Sequence, residues 1–131
     1  ADLRRIRQTK TNSGYRWLRS GKVCGDLLGG CISSMLHLRG TRYWPSFKDC
    51  ILFWESPESS CDSAIGEPVS RIDSHLTDLG LSGVFDAISG MVIGRPKGLS
   101  ISDMNLFDEV VLDNTQGYTF PILANVDIGH T

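Results

Sequence analysis

Apolar and polar positions along this chain fall into blocks whose lengths predict the elements. Cys50-Ile51-Leu52-Phe53-Trp54 is a continuous apolar run of strand length that stops abruptly at Glu55, the pattern of a strand buried on both faces. The pattern recurs at Met91-Val92-Ile93, which runs into Gly94-Arg95-Pro96, and at Ile122–Val126, which runs into Asp127-Ile128-Gly129-His130. Between these runs the period changes to that of a helix. Val69, Ile72, Leu76 and Leu79 share one face of a helix that Pro68 opens and Gly80 closes. Leu106, Phe107, Val110 and Val111 form the buried side of another, for which Ser102 is the expected cap.

The first third is less regular. An edge strand is expected around Tyr15–Leu18, and the stretch Val23–Leu28 leads into Gly29-Gly30, which reads as a sharp turn. Ile32, Met35, Leu36 and Leu38 suit a short helix closed by Gly40. Tyr43-Trp44-Pro45, Ser56–Gly66 and Asn114–Tyr118 read as loops, the second on the surface because it is rich in Ser, Pro and acid. Strand–helix–strand–helix–strand with doubly apolar strands predicts an α/β fold, a mostly parallel sheet flanked by helices. In such a fold Phe53 reads as a core aromatic.

Composition narrows the class without changing the fold. The 131 residues fit one domain, and 40% hydrophobic with 21% charged residues excludes a disordered chain. No apolar run approaches the ~20 residues of a membrane span, and no signal-peptide core opens the chain, so a soluble protein, cytoplasmic in keeping with free thiols, is expected, with a removed export signal left open. The start at Ala1 reads as a cut end. Charge is uneven: residues 1–22 carry seven bases against one acid, and the rest six bases against fourteen acids. Residues 1–22 are therefore read as a basic arm or linker ahead of a domain over 23–131. Binding of nucleic acid by that arm is the rival reading, which predicts a steep salt dependence. With no nucleic-acid-binding motif following, neither a nucleic-acid nor a membrane partner is expected.

Cys24, Cys31, Cys50 and Cys61 include no C-x-x-C pair, and the three histidines form no ligand cluster with them, so no metal site is expected. Free thiols are the simplest account, with disulfides left open by the even count.

Ligands of open α/β sheets bind beyond the carboxyl ends of the strands. Glu55, Arg95, Asp127 and His130 follow three such ends. A carboxylate that accepts an imidazole N–H fixes the tautomer and stabilises the imidazolium formed in catalysis. Glu55 and His130 are accordingly candidates for orienter and general base, while Arg95 suits a pair with Glu55, a bound carboxylate or a surface salt bridge. The pair lacks a nucleophile: the chain has no G-x-S-x-G elbow, and Cys31 is the one thiol suitably placed, with a packed cysteine as its plain alternative.

Several stretches in order, GKVCGDLLGGCIS (21–33), ILFWE (51–55), VFDAISGMVIGRP (84–96) and PILANVDIGHT (121–131), resemble the C-terminal domain of the LD-carboxypeptidase and microcin C immunity peptidase family. The resemblance implies a two-domain serine peptidase whose Ser-Glu-His triad lies at the domain interface, without metal or organic cofactor. Glu55 matches the family's glutamate and His130 its histidine. The serine would come from an N-terminal nucleophile domain that this chain lacks. The resemblance thus implies hydrolysis of an amide next to a terminal carboxylate, in a muropeptide L,D bond or a processed microcin C-type aminoacyl-nucleotide. The expected partners are that domain of the same polypeptide and the peptide or aminoacyl-nucleotide substrate, with a homodimer left open. Two departures stand out: Cys31 occupies the family's usual Asn position, and the chain stops before the family's usual closing segment. A non-catalytic interaction domain that keeps the fold is the alternative.

Overall fold

The computed structural model describes residues 14–59 and 65–129. Residues 1–13 of the basic arm, Cys61 and His130 lie outside the described residues. Five strands form one sheet: β1 (Arg16–Arg19), β2 (Leu27–Cys31), β3 (Ile51–Glu55), β4 (Gly90–Gly94) and β5 (Ile122–Val126), in the spatial order β1-β5-β4-β3-β2. The last four are parallel, and β1 joins β5 antiparallel at one edge. The connecting helices are α1 (Ile32–Leu36), α2 (Val69–Leu81), α3 (Val84–Ala87) and α4 (Ile101–Asn114). The expected mostly parallel α/β sheet with helices is the observed fold.

Each parallel strand adds beside its predecessor, so all crossovers step in one direction. Right-handed crossovers then put the helices on one face of the sheet, and α2 packs against both α1 and α4. The strand side chains divide accordingly. Leu52, Trp54, Met91, Ile93, Ile122 and Ala124 point to the helices and are buried together with Ile72, Leu76, Leu79, Phe107 and Val111. Trp54 meets the Phe107 ring at 5.8 Å between centroids. On the other face, Trp17, Leu123, Val92 and Phe53 form a row across paired positions, with Trp17 56% exposed and the other three half-buried. The apolar runs therefore reflect one helix-covered face and one face that no described helix covers. Phe53 belongs to the second, and Trp54 is the core aromatic of β3.

The sequence and structure part at four points, each with a physical cause. Gly29 and Gly30 make no turn but lie inside β2, opposite Phe53 and Trp54. Gly29 has φ +154°, and any Cβ there would collide with the Phe53 carbonyl oxygen, so the glycine permits close backbone approach. Gly80 does not end α2: it leaves room for the Phe85 ring, and the helix closes instead at Ser82 and the left-handed Gly83. Ser100, not Ser102, caps α4, since its Oγ accepts from the Asp103 amide at 3.1 Å. The Ser100 hydroxyl in turn donates to the Asp103 carboxylate at 2.7 Å, and Asp103 suits the positive helix end. Leu106, expected inside, is 48% exposed, while Phe107 and Val111 fill the core.

Candidate active site at the carboxyl edge of the sheet

Parallel strands bring their carboxyl ends to one edge, and the polar residues that follow them meet there. Glu55, the last residue of β3, is 7% exposed. Two glycines wall it in. A Cβ on Gly94, at the end of β4, would lie 2.7 Å from the Glu55 Cβ and 2.7 Å from the Ile128 carbonyl oxygen. A Cβ on Gly129 would lie 2.5 Å from the Glu55 carboxyl oxygen Oε2, and Gly129 adopts a left-handed φ of +95°. Only glycine at these two positions lets the segment after β5 lie directly on the Glu55 side chain. His130, the next residue in the chain, is outside the described residues, but Gly129 against Glu55 brings the chain to the acid's side.

Arg95 and Asp127 follow β4 and β5 at the same edge. Of the roles open to Arg95, the structure shows an ion pair with Asp127: its guanidinium donates to the Asp127 carboxylate. Cys31 also reaches this edge, because β2 and β3 are in register and Cys31 is the paired neighbour of Glu55. It is half-buried and free, with its Sγ 3.4 Å from the Ser33 hydroxyl. Cys24 and Cys50 are free as well. Among the described residues no group of three or more His, Cys, Asp or Glu side chains is placed to hold a metal ion, and no helix is long and apolar enough to cross a membrane.

Sequence reading missed an acid–imidazole contact among the described residues. The excursion after β3 returns on itself, with Glu58 bridged to Gly66 and the Glu67 amide donating to the Pro57 carbonyl at 3.2 Å. Glu67 is thereby brought back beside the end of β3. It is 5% exposed, and its Oε2 lies 3.6 Å from Nδ1 of His75 on α2. Neither atom has a hydrogen-bond partner among the described residues. Burial pushes the Glu67 carboxyl above its ordinary value, against the pull of Arg71 and with the help of the Glu55 charge. Burial likewise holds His75 below its ordinary value; Arg71 and His37 add to this and Asp78 opposes it. Both groups are pushed toward neutrality, which weakens any charged bridge between them. The sequence signal was slight: an acid before Pro68 looks like any helix entrance.

A pH dependence follows. As pH rises above about 4.5, the unfolded chain releases the Glu67 proton before the folded chain does, so folding loses stability through this group. Glu67→Gln removes that loss, and its melting temperature relative to the unsubstituted chain should climb between pH 4.5 and 7. His75 acts oppositely, since the unfolded chain takes up its proton first as pH falls below about 6.5, and it is present in both proteins. A difference in melting temperature that stays flat across this range would show Glu67 to be ionised normally.

A Treponema pallidum protein named as a carboxypeptidase is 34% identical over 125 residues, covering 95% of this chain and 35% of its own length. The carboxypeptidase-named YocD of Bacillus subtilis is 27% identical over 92% of this chain and 35% of itself. Among solved structures, an MccF-like protein from Bacillus anthracis superposes with a TM-score of 0.80 at 30% identity, over 98% of this chain and 38% of its own. The microcin C7 self-immunity protein MccF gives a TM-score of 0.72 at 24% identity, over 98% of this chain and 37% of its own, a likeness of fold. The chain thus spans just over a third of the length of these relatives. The family described as LD-carboxypeptidase C-terminal domain matches residues 24–131, and this chain belongs to it.

Proposed function

We propose that this chain is the catalytic-partner domain of a serine carboxypeptidase, supplying the general base His130 and its orienting acid Glu55. The nucleophilic serine comes from an N-terminal domain of the same polypeptide. The observation that carries the reading is the contact of Gly129 with the Glu55 carboxyl, one residue before His130 in the chain. In the reaction, the imidazole takes the hydroxyl proton as the serine oxygen attacks the amide carbonyl carbon, then gives that proton to the departing amine. A water molecule, deprotonated by the same imidazole, then attacks the acyl carbon, and the imidazolium returns that proton to the departing serine oxygen as the acid is released. Throughout, the Glu55 carboxylate accepts the second imidazole N–H and stabilises the imidazolium.

The amide lies next to a terminal carboxylate, and two substrate classes fit the reading: the L,D bond of a muropeptide and the amide of a processed microcin C-type aminoacyl-nucleotide. Solved MccF structures include complexes with aspartyl sulfamoyl adenosine and glutamyl sulfamoyl guanosine, which supports testing the second class alongside the first.

The test uses the 131-residue chain with both substrates. Alone it should hydrolyse neither above background, because loss of a triad member costs about four to six powers of ten in rate. Turnover should appear when the chain is joined to a nucleophile-bearing domain. Robust hydrolysis by the chain alone that Cys31→Ala abolishes would instead make Cys31, beside Glu55 in the sheet register, the nucleophile.

A further inference from the structure

We infer that Arg95 is a positioning residue: through its ion pair with Asp127 it holds the Asp127–Gly129 strap across the end of β4, and so sets how the His130-bearing segment meets Glu55. The inference rests on the Glu55–His130 reading above and extends it to Arg95.

The strap is short and fastened at each residue. The Arg95 amide donates to the Val126 carbonyl at 2.9 Å, and the Ile128 amide folds back on the same carbonyl at 2.8 Å. These two bonds tie the beginning of the strap to the β4 exit. Beyond them, Asp127 is fixed by the Arg95 guanidinium, and the Ile128 carbonyl and Gly129 close over Gly94 and Glu55. The main-chain bonds set the direction of the strap. The side-chain pair adds a restraint at Asp127, linking the first residue after β4 to the first after β5.

An exposed ion pair ordinarily contributes little to stability, and this one is exposed on the Asp127 side, at 52%. One feature distinguishes it. The Arg95 Nε is buried and has no hydrogen-bond partner among the described residues, so the stem of the guanidinium is packed into the edge while the side chain as a whole is 28% exposed. The consequence is an asymmetric expectation. Loss of Arg95 should scarcely change the melting temperature yet should damage a reaction in which a misplacement of about 1 Å costs about a hundredfold.

The experiment compares Arg95→Met, Arg95→Lys and Arg39→Met in the chain joined to its nucleophile domain, with His130→Ala in parallel. Arg39 forms a similar exposed pair with Asp78, away from this edge, and serves as the control. Arg95→Met should lower kcat about 10- to 100-fold with KM within about threefold, Arg95→Lys should recover most of the loss, and Arg39→Met should match the unsubstituted protein. In the 131-residue chain itself, amide hydrogen exchange at Ile128 should accelerate in Arg95→Met and return toward normal in Arg95→Lys. If His130→Ala is inactive while Arg95→Met keeps kcat within twofold, or if exchange at Ile128 is unchanged, the positioning role is overturned and the proposed function stands. If His130→Ala itself keeps activity, the proposed function falls, and exchange at Ile128 still tests whether Arg95 holds the strap.

Discussion

His130→Ala, in the chain joined to its nucleophile domain, should abolish turnover, with kcat down by about four to six powers of ten and the fold intact. The size of the effect follows from the division of labour: with no imidazole to take the serine proton, the hydroxyl attacks at the reactivity of an ordinary alcohol. The fold should survive because the buried cluster ends at Ala124, within β5, and none of its members lies in the segment that leads to His130. Glu55→Gln should fall between the two extremes, retaining a base but not its tautomer. Activity and thermal melting measured on the same samples separate chemistry from unfolding. An alanine variant that keeps near-normal activity, or loses it only by melting, would make His130 structural and favour the interaction-domain alternative.

The largest stability effect is expected at Trp54. Its side chain is fully buried between the sheet and α4, against Phe107, and Trp54→Ala should cost about 3–5 kcal/mol. Such a loss is a large fraction of the roughly 5–15 kcal/mol that holds a domain folded, so the melting temperature should fall by about 10–25 °C. Phe53→Ala is the informative contrast. One position earlier in β3, Phe53 lies half-buried on the face without helices, and its truncation should cost clearly less. Chemical denaturation of the two variants measures the difference. Equal costs would mean that the second face of the sheet is packed as tightly as the first.

That contrast shows what can be read from sequence and what cannot. The runs ending at Glu55 and Val126 were legible because an apolar block of strand length is cut off by polar residues. The face of α2 was legible because Val69, Ile72, Leu76 and Leu79 keep helical spacing, and all four are buried. Periodicity cannot tell a strand with two covered faces from one whose second face is apolar but open, so Phe53 and Trp54 looked alike. Nor can it tell a glycine that turns the chain from one that lets strands approach, and Gly29-Gly30 was misread for that reason. The candidate site was legible in part. Glu55, Arg95 and Asp127 were singled out as residues leaving strand ends, and the structure gathers them at one edge. The glycine walls around Glu55 were not, since the need for Gly94 and Gly129 comes from a contact between β3 and the segment after β5. The Glu67–His75 contact depends on a returning excursion that no local pattern announces.

The antiparallel edge strand has a kinetic consequence. β1 begins the described sheet and pairs with β5, its last strand; the Asn125 side chain donates to the Gly14 carbonyl across 111 residues of sequence. Arg16 reaches Asp108 through a bidentate pair, and Arg19 reaches the carbonyls of Thr115 and Phe120. None of these bonds can form until most of the chain has been made and the parallel strands have assembled, because closing so long a loop costs entropy before any contact repays it. Until β1 docks, β5 is a bare edge with unpaired backbone groups. The strand that leads to the Glu55 edge is therefore expected to be sealed late as the protein folds and to be exposed when β1 detaches.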